Sequence, residues 1–129
     1  MNELPPFELG YARTELRRQL VEAVLRGDKT TTAGLRSDYA PHTNEPLPEV
    51  GDRFALLDFG DRPVAVVETT EIRIVPAGDV DLQFARDEGE GFESVEDWRH
   101  AHERFWAEHD IDDGTLIVAE RFRLVERLT

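Results

Sequence analysis

Lys29 stands before three threonines, Thr30, Thr31 and Thr32, in the stretch RGDKTTTAGL from Arg26 to Leu35. An amine beside a row of hydroxyls can face an anionic or carbonyl-bearing ligand. The same residues also make an ordinary turn entering a strand, because β-branched side chains favour extended chain. A second group sits in ARDEGEGFES, where Glu88 and Glu90 lie in a glycine-broken bend beside Asp87. Crowded carboxylates raise one another's pKa and can supply a general acid or base. Read without that chemistry, the segment is a solvated acidic loop. Trp98, Phe105 and Trp106 follow. At least two of these should be core, and one at a cleft edge could stack a flat ligand such as a nucleobase.

Other chemistries find no support. The chain lacks cysteine, so it has no disulfide, thiol nucleophile or thiolate metal site. HAHERFW begins like a zinc-protease helix, but Trp106 stands four residues after His102, where the second histidine belongs. His100 and His102 are two apart and point away from each other on a helix. No metal and no cofactor are expected. There is no phosphate-cradling glycine loop and no G-x-S-x-G elbow.

The elements that must hold these residues are legible from periodicity. TELRRQLVEAVLRG reads as an amphipathic helix near 13–26, with Leu16, Leu20 and Val24 on one face, Thr14 as N-cap and Gly27 past its end. The amine of Lys29 then follows a helix C-terminus, whose dipole favours the ammonium form. A proline-rich loop comes next. Phe54 to Phe59 and Val64 to Val75 read as a hairpin with Glu68 interrupting its apolar series, either solvent-facing or cleft-lining. Helices are expected near 79–87 and 95–108, the latter capped by Ser94. Leu116, Val118, Glu120, Phe122 and Leu124 alternate as a closing strand. In a regular strand Lys29 and Thr31 share one face and Thr30 and Thr32 the other, so an irregular turn is needed to bring Lys29 to Thr32.

The 129 residues suit a single domain, 1–129, with 40% hydrophobic residues to build a core. No apolar run approaches the length that spans a bilayer, and MNELPPFELG has no signal-peptide pattern, so no membrane role and a cytoplasmic location are expected. The net charge of −13 argues against a broad phosphate-binding face. Affinity for long RNA should therefore be weak and sensitive to salt.

In this order, GDKTTTAGL, LPEVGDRFALLDFGDRPVAVVETTEIRIVP, VDLQFARDEGEGFESVEDWRHAHERFW and VAERFRLV resemble the ASCH family, whose domains are similar to the PUA RNA-binding fold. The resemblance runs from about Phe7 to Leu128. It implies an α+β fold: a PUA-like β-barrel of about five or six strands flanked by helices, with a cleft at one side. It also implies a link to RNA metabolism. Some members resemble ribonucleases, and others are amidohydrolases that deacetylate N4-acetylcytidine. The amidohydrolase branch uses a lysine, a threonine three places on and a later glutamate, which fall on Lys29, Thr32 and Glu88, with Glu90 as the competing glutamate. Thr31, Arg36, Glu90, Trp98 and His102 are the expected substrate-binding neighbours. A nucleoside or RNA in the cleft is the implied partner. The alternatives to amide hydrolysis are RNA binding or cleavage, and ligand binding without chemistry. The chain departs from the short amidohydrolases in its longer proline-rich loop, longer acidic segment and more negative charge. As cleft residues, Lys29 and Glu88 are expected to contribute little to stability.

Overall fold

The computed structural model describes residues 4–128. Met1 to Glu3, the start of the stretch read for a signal sequence, and Thr129 lie outside them. Five strands form one sheet in the order β1-β3-β4-β5-β2. They are β1 (Pro6–Phe7), β2 (Thr31–Leu35), β3 (Arg53–Leu57), β4 (Pro63–Pro76) and β5 (Leu116–Arg127). The helices among the described residues are α1 (Glu15–Leu25), α2 (Leu82–Asp87) and α3 (Val95–Phe105). The architecture is α+β. Among the described residues no helix is long and apolar enough to cross a membrane.

Helix ends follow their caps. Thr14 accepts from the Arg17 amide at 3.1 Å, and Gly27 follows the helix at φ +89°, a left-handed exit that suits glycine. Ser94 caps α3 through the Asp97 amide at 3.0 Å. The helical stretches expected near 79–87 and 95–108 are each split. α2 is preceded by a 3-10 turn at Ala77–Asp79, and α3 is followed by one at Ala107–His109. Glu68 leaves the apolar face of β4 to pair with Arg53 at 2.9 Å and Arg123 at 3.4 Å.

The hairpin of β3 and β4 and the long pairing of β4 with β5 are antiparallel. β2 pairs antiparallel with β5, and β1 runs parallel to β3 through two residues. The expectation of a barrel is corrected here. β1 and β2 are the two edges of an open sheet and do not pair with each other. The seam where a barrel would close is lined instead by Glu8 and Leu9, just past β1, and by Thr32 and Ala33 of β2, which face two cavities.

Side chains of β5 feed two cores alternately. Phe122, with Leu124 packed against it, joins Phe7, Leu20, Val24, Leu56 and Val67 under α1. Ile117 and Ala119 join Val80, Phe84, Trp98 and Trp106 under α2 and α3. Arg17, 1% exposed, ties the first core to the seam. Its guanidinium donates to the Leu9 carbonyl at 3.1 Å, the Gly10 carbonyl at 3.0 Å and Asp61 at 2.7 Å.

Candidate functional site

Lys29 is the only lysine among 15 basic residues, and it is 2% exposed. Its position follows from local chain geometry. After α1 the amides of Asp28 and Lys29 both bond the Ala23 carbonyl, at 2.9 and 3.1 Å. The chain then enters β2 at Thr31, so Lys29 precedes the regular strand. Its stem curls along the chain, and Nζ donates to the Thr31 carbonyl at 2.8 Å. This irregular entry lets Lys29 and Thr32 line one cavity of about 600 Å³.

The glycine-broken bend closes over the amine. Nζ donates to the Glu88 carbonyl at 3.3 Å and lies 3.6 Å from Glu88 Oε1 and 3.9 Å from Glu90 Oε2. Every one of these partners is an acceptor, which matches an ammonium with its three N–H donors. Gly89, at φ +71°, makes the approach possible. A Cβ there would stand 2.7 Å from the Asp28 carbonyl oxygen and 2.8 Å from the Lys29 nitrogen.

Glu88 is held from every side. Oε2 accepts from Trp98 Nε1 and lies 3.6 Å from His102 Nε2. The rings of Trp98 and His102 stack at 4.1 Å, and His102 Nδ1 donates to the Trp98 carbonyl at 2.8 Å. Burial alone pushes the Glu88 carboxyl up, but the His102 contact, the Lys29 charge and the Trp98 N–H outweigh it and hold the carboxyl below the usual range. Glu90 is set oppositely. Burial raises it, the Lys29 charge pulls it down, and the negative charge of Glu88 raises it further, for a net rise. Its side chain is 27% exposed, against 3% for Glu88. The two carboxylates thus flank one amine with their pKa values pushed apart, a common arrangement at acid–base sites.

The structure brings Lys29, Thr32, Glu88, Glu90 and His102 to the same cavity and leaves three expected neighbours outside its lining. Trp98 is fully buried behind Glu88. Thr31 is also buried, and its hydroxyl donates to the Phe84 carbonyl at 2.9 Å. Arg36 donates to the Ala40 carbonyl at 2.8 Å and braces the proline-rich loop. Lys29 and Glu88 are interior residues, not the surface positions on which the expectation of little effect on stability rests. Among the described residues no group of three or more His, Cys, Asp or Glu is arranged to hold a metal ion.

Other residues line the rest of the space, among them Tyr11, for which the sequence raised no expectation, and Phe105, one of the aromatics expected at the core or a cleft edge. Tyr11 and Phe105, 76% and 49% exposed, flank the mouth with ring centroids 6.4 Å apart. A second cavity of about 290 Å³ adjoins the first and shares Glu8, Leu9, Thr32 and Ala33 with it. Tyr39 and Glu120 line this one. Glu120 had left a signal in the sequence, as the one charge within the alternating apolar series from Leu116 to Leu124.

An ASCH domain profile matches residues 9–126. A crystal structure of a protein from Enterococcus faecalis V583 is similar, with a TM-score of 0.85 and 27% identity over 100% of this chain and 84% of that one. An ASCH domain from Lactobacillus crispatus JV V101 superposes with a TM-score of 0.84 at 23% identity, over 96% of this chain and 80% of that one. No curated protein matches the sequence. With nearly the whole chain inside the profile, the protein belongs to the ASCH domain family, a family linked to RNA.

Proposed function

We propose that the larger cavity hydrolyses an amide on a small nucleoside-type substrate, of which N4-acetylcytidine is the model compound. The observation that carries this reading is the sole lysine of the chain, buried on the wall of an open cavity between two carboxylates set at different proton affinities. An ammonium held by two carbonyls and facing a cavity is a preorganised positive charge for a developing oxyanion.

The roles divide as follows. Lys29 polarises the amide carbonyl of the substrate. A water, positioned by the Thr32 hydroxyl, adds to the carbonyl carbon. Glu90 takes the proton of that water and returns it to the leaving nitrogen, so that acid and amine are released and the enzyme is restored. Glu88 is a positioning residue, since its oxygens are engaged by Trp98, His102 and Lys29. Release of acetate from N4-acetylcytidine tests the scheme. Glu90→Gln and Lys29→Met should each lower turnover about 100-fold or more, with folding checked by circular dichroism. If the wild type releases no acetate from any N-acyl nucleoside, the reading is wrong.

A second reading, binding of a nucleobase or a single-stranded RNA without chemistry, is favoured by the exposed Tyr11–Phe105 pair at the mouth. Stacking on an aromatic is worth about 1–3 kcal/mol per base. Tyr11→Ala should then weaken cytidine binding about tenfold while Glu90→Gln leaves it unchanged.

A further inference from the structure

The smaller cavity carries chemistry of its own. Its floor is Glu120, 6% exposed. One carboxylate oxygen accepts from Thr69 Oγ1 at 2.6 Å. Among the described residues no other hydrogen bond reaches this carboxylate, and no arginine, lysine or histidine pairs with it. A buried carboxylate without a cation is costly and uncommon. Burial raises its pKa, and the charge of Asp52 adds to that against the Thr69 bond. The rim carries Glu8, Asp38 and Glu45, and among the described residues no basic side chain lines the space. Glu8 lies 3.7 Å from Arg17. Asp38 and Glu45 have no ion pair among the described residues.

The walls are aromatic. Phe7, Phe54 and Tyr39 face the space, with Phe7 and Phe54 at 5.7 Å between centroids. Tyr39 lies across β2 at Gly34, where a Cβ would come within 2.9 Å of its hydroxyl. Burial, with Glu120, Asp38 and Glu45 nearby, pushes the Tyr39 phenol up to about 12, so it stays a neutral donor. Thr32, on the wall shared with the larger cavity, is the direct cross-strand partner of Glu120.

We infer that this cavity is a binding subsite for a small organic cation, an alkylammonium whose charge meets Glu120 and whose stem packs on Phe7, Phe54 and Tyr39. Such a cation completes the buried carboxylate. Aromatic faces and rim carboxylates favour the same charge. Phosphate and carboxylate groups are repelled by the same lining. The volume, about 290 Å³, is at the small end of ligand sites, which suits a compact amine.

Titration of the full chain with n-butylammonium, followed by amide NMR shifts at fixed ionic strength, tests the assignment. Saturable shifts should cluster at Gly34, Tyr39 and Glu120. 1-Butanol should bind at least about tenfold more weakly and n-butyrate not at all. Glu120→Gln should weaken n-butylammonium about tenfold or more, as expected for removing one partner of a buried charge pair. The exposed pair of changes Asp38→Asn and Glu45→Gln, which do not touch the interior, should weaken it about threefold. Equal binding of 1-butanol, unchanged affinity in these variants, or shifts scattered over the acidic surface would overturn the proposal. No turnover is measured, so a protein inert towards N-acyl nucleosides can still bind the cation, and an active one can fail to.

Discussion

Glu88 and Glu120 are two buried carboxylates whose proton affinities are displaced in opposite directions. Glu88 is held below the ordinary value of 4.5 once the pull of His102, Lys29 and Trp98 outweighs burial. Its contribution is therefore fully present above that value and is lost as pH falls below it, through the lowered value of the folded state. Glu120 is raised, first by burial and then by Asp52. Its ionisation costs stability as pH climbs from 4.5 towards the raised value. Urea unfolding followed from below pH 4.5 up to neutral pH should separate the two. Glu88→Gln should lose about 3 kcal/mol at neutral pH, the scale for breaking a buried pair, and less in acid. Glu120→Gln should match the wild type in acid and exceed it at neutral pH. Trp98→Phe removes the N–H that Glu88 accepts and should cost about 1–3 kcal/mol. Turnover should also fall, because the Lys29 amine loses a fixed partner. The spacing of Lys29 and Thr32 and the EGEG bend were visible as chemistry in the sequence. Whether Glu88 or Glu90 reaches solvent was not, because that depends on Trp98 and His102 packing behind one of them.

At the scale of elements, the site is made where the turn after α1 meets the bend after α2. The Thr30 amide bonds the Asp87 carbonyl at 2.7 Å, and Gly89 lies against the backbone of Asp28 and Lys29. Gly91, at φ +84°, has open space around its Cβ position. The two glycines should therefore respond differently. Gly91→Ala should cost about 1 kcal/mol for its backbone conformation alone. Gly89→Ala adds a clash with the main chain and should cost about 3 kcal/mol or more, with loss of the Lys29–Glu88 contact. Differential scanning calorimetry of the two variants reads the difference. Helix caps and strand alternation were legible because they are local. The phase of β4 was not: a register shift between Thr69 and Glu71 accompanies the turn of Thr69 towards Glu120, and no periodicity announces it. β1, two residues long with Pro6 in it, carried no strand signal either.

For the whole molecule, the open sheet matters more than the strand count. Closure depends on whether two edges pair, which neither edge reveals alone; here the seam holds cavities instead. Charge acts at the same scale. With 28 acidic and 15 basic residues, and arginines such as Arg17, Arg53, Arg121 and Arg123 already engaged with carboxylates, few cations remain for phosphates. Filter binding of hairpin and single-stranded RNA should give weak affinity that falls steeply with salt. Affinity that persists as salt rises would assign the contact to base stacking at Tyr11 and Phe105.

The burial of the sole lysine has a practical consequence. Reagents and proteases that act on lysine side chains find their one target only when the α1–β2 turn and the EGEG bend separate. Cleavage by a lysine-specific protease would thus give a single cut whose rate reports how often that junction opens. A ligand resting on Lys29 would slow the cut, while one bound only at Glu120 would change it far less.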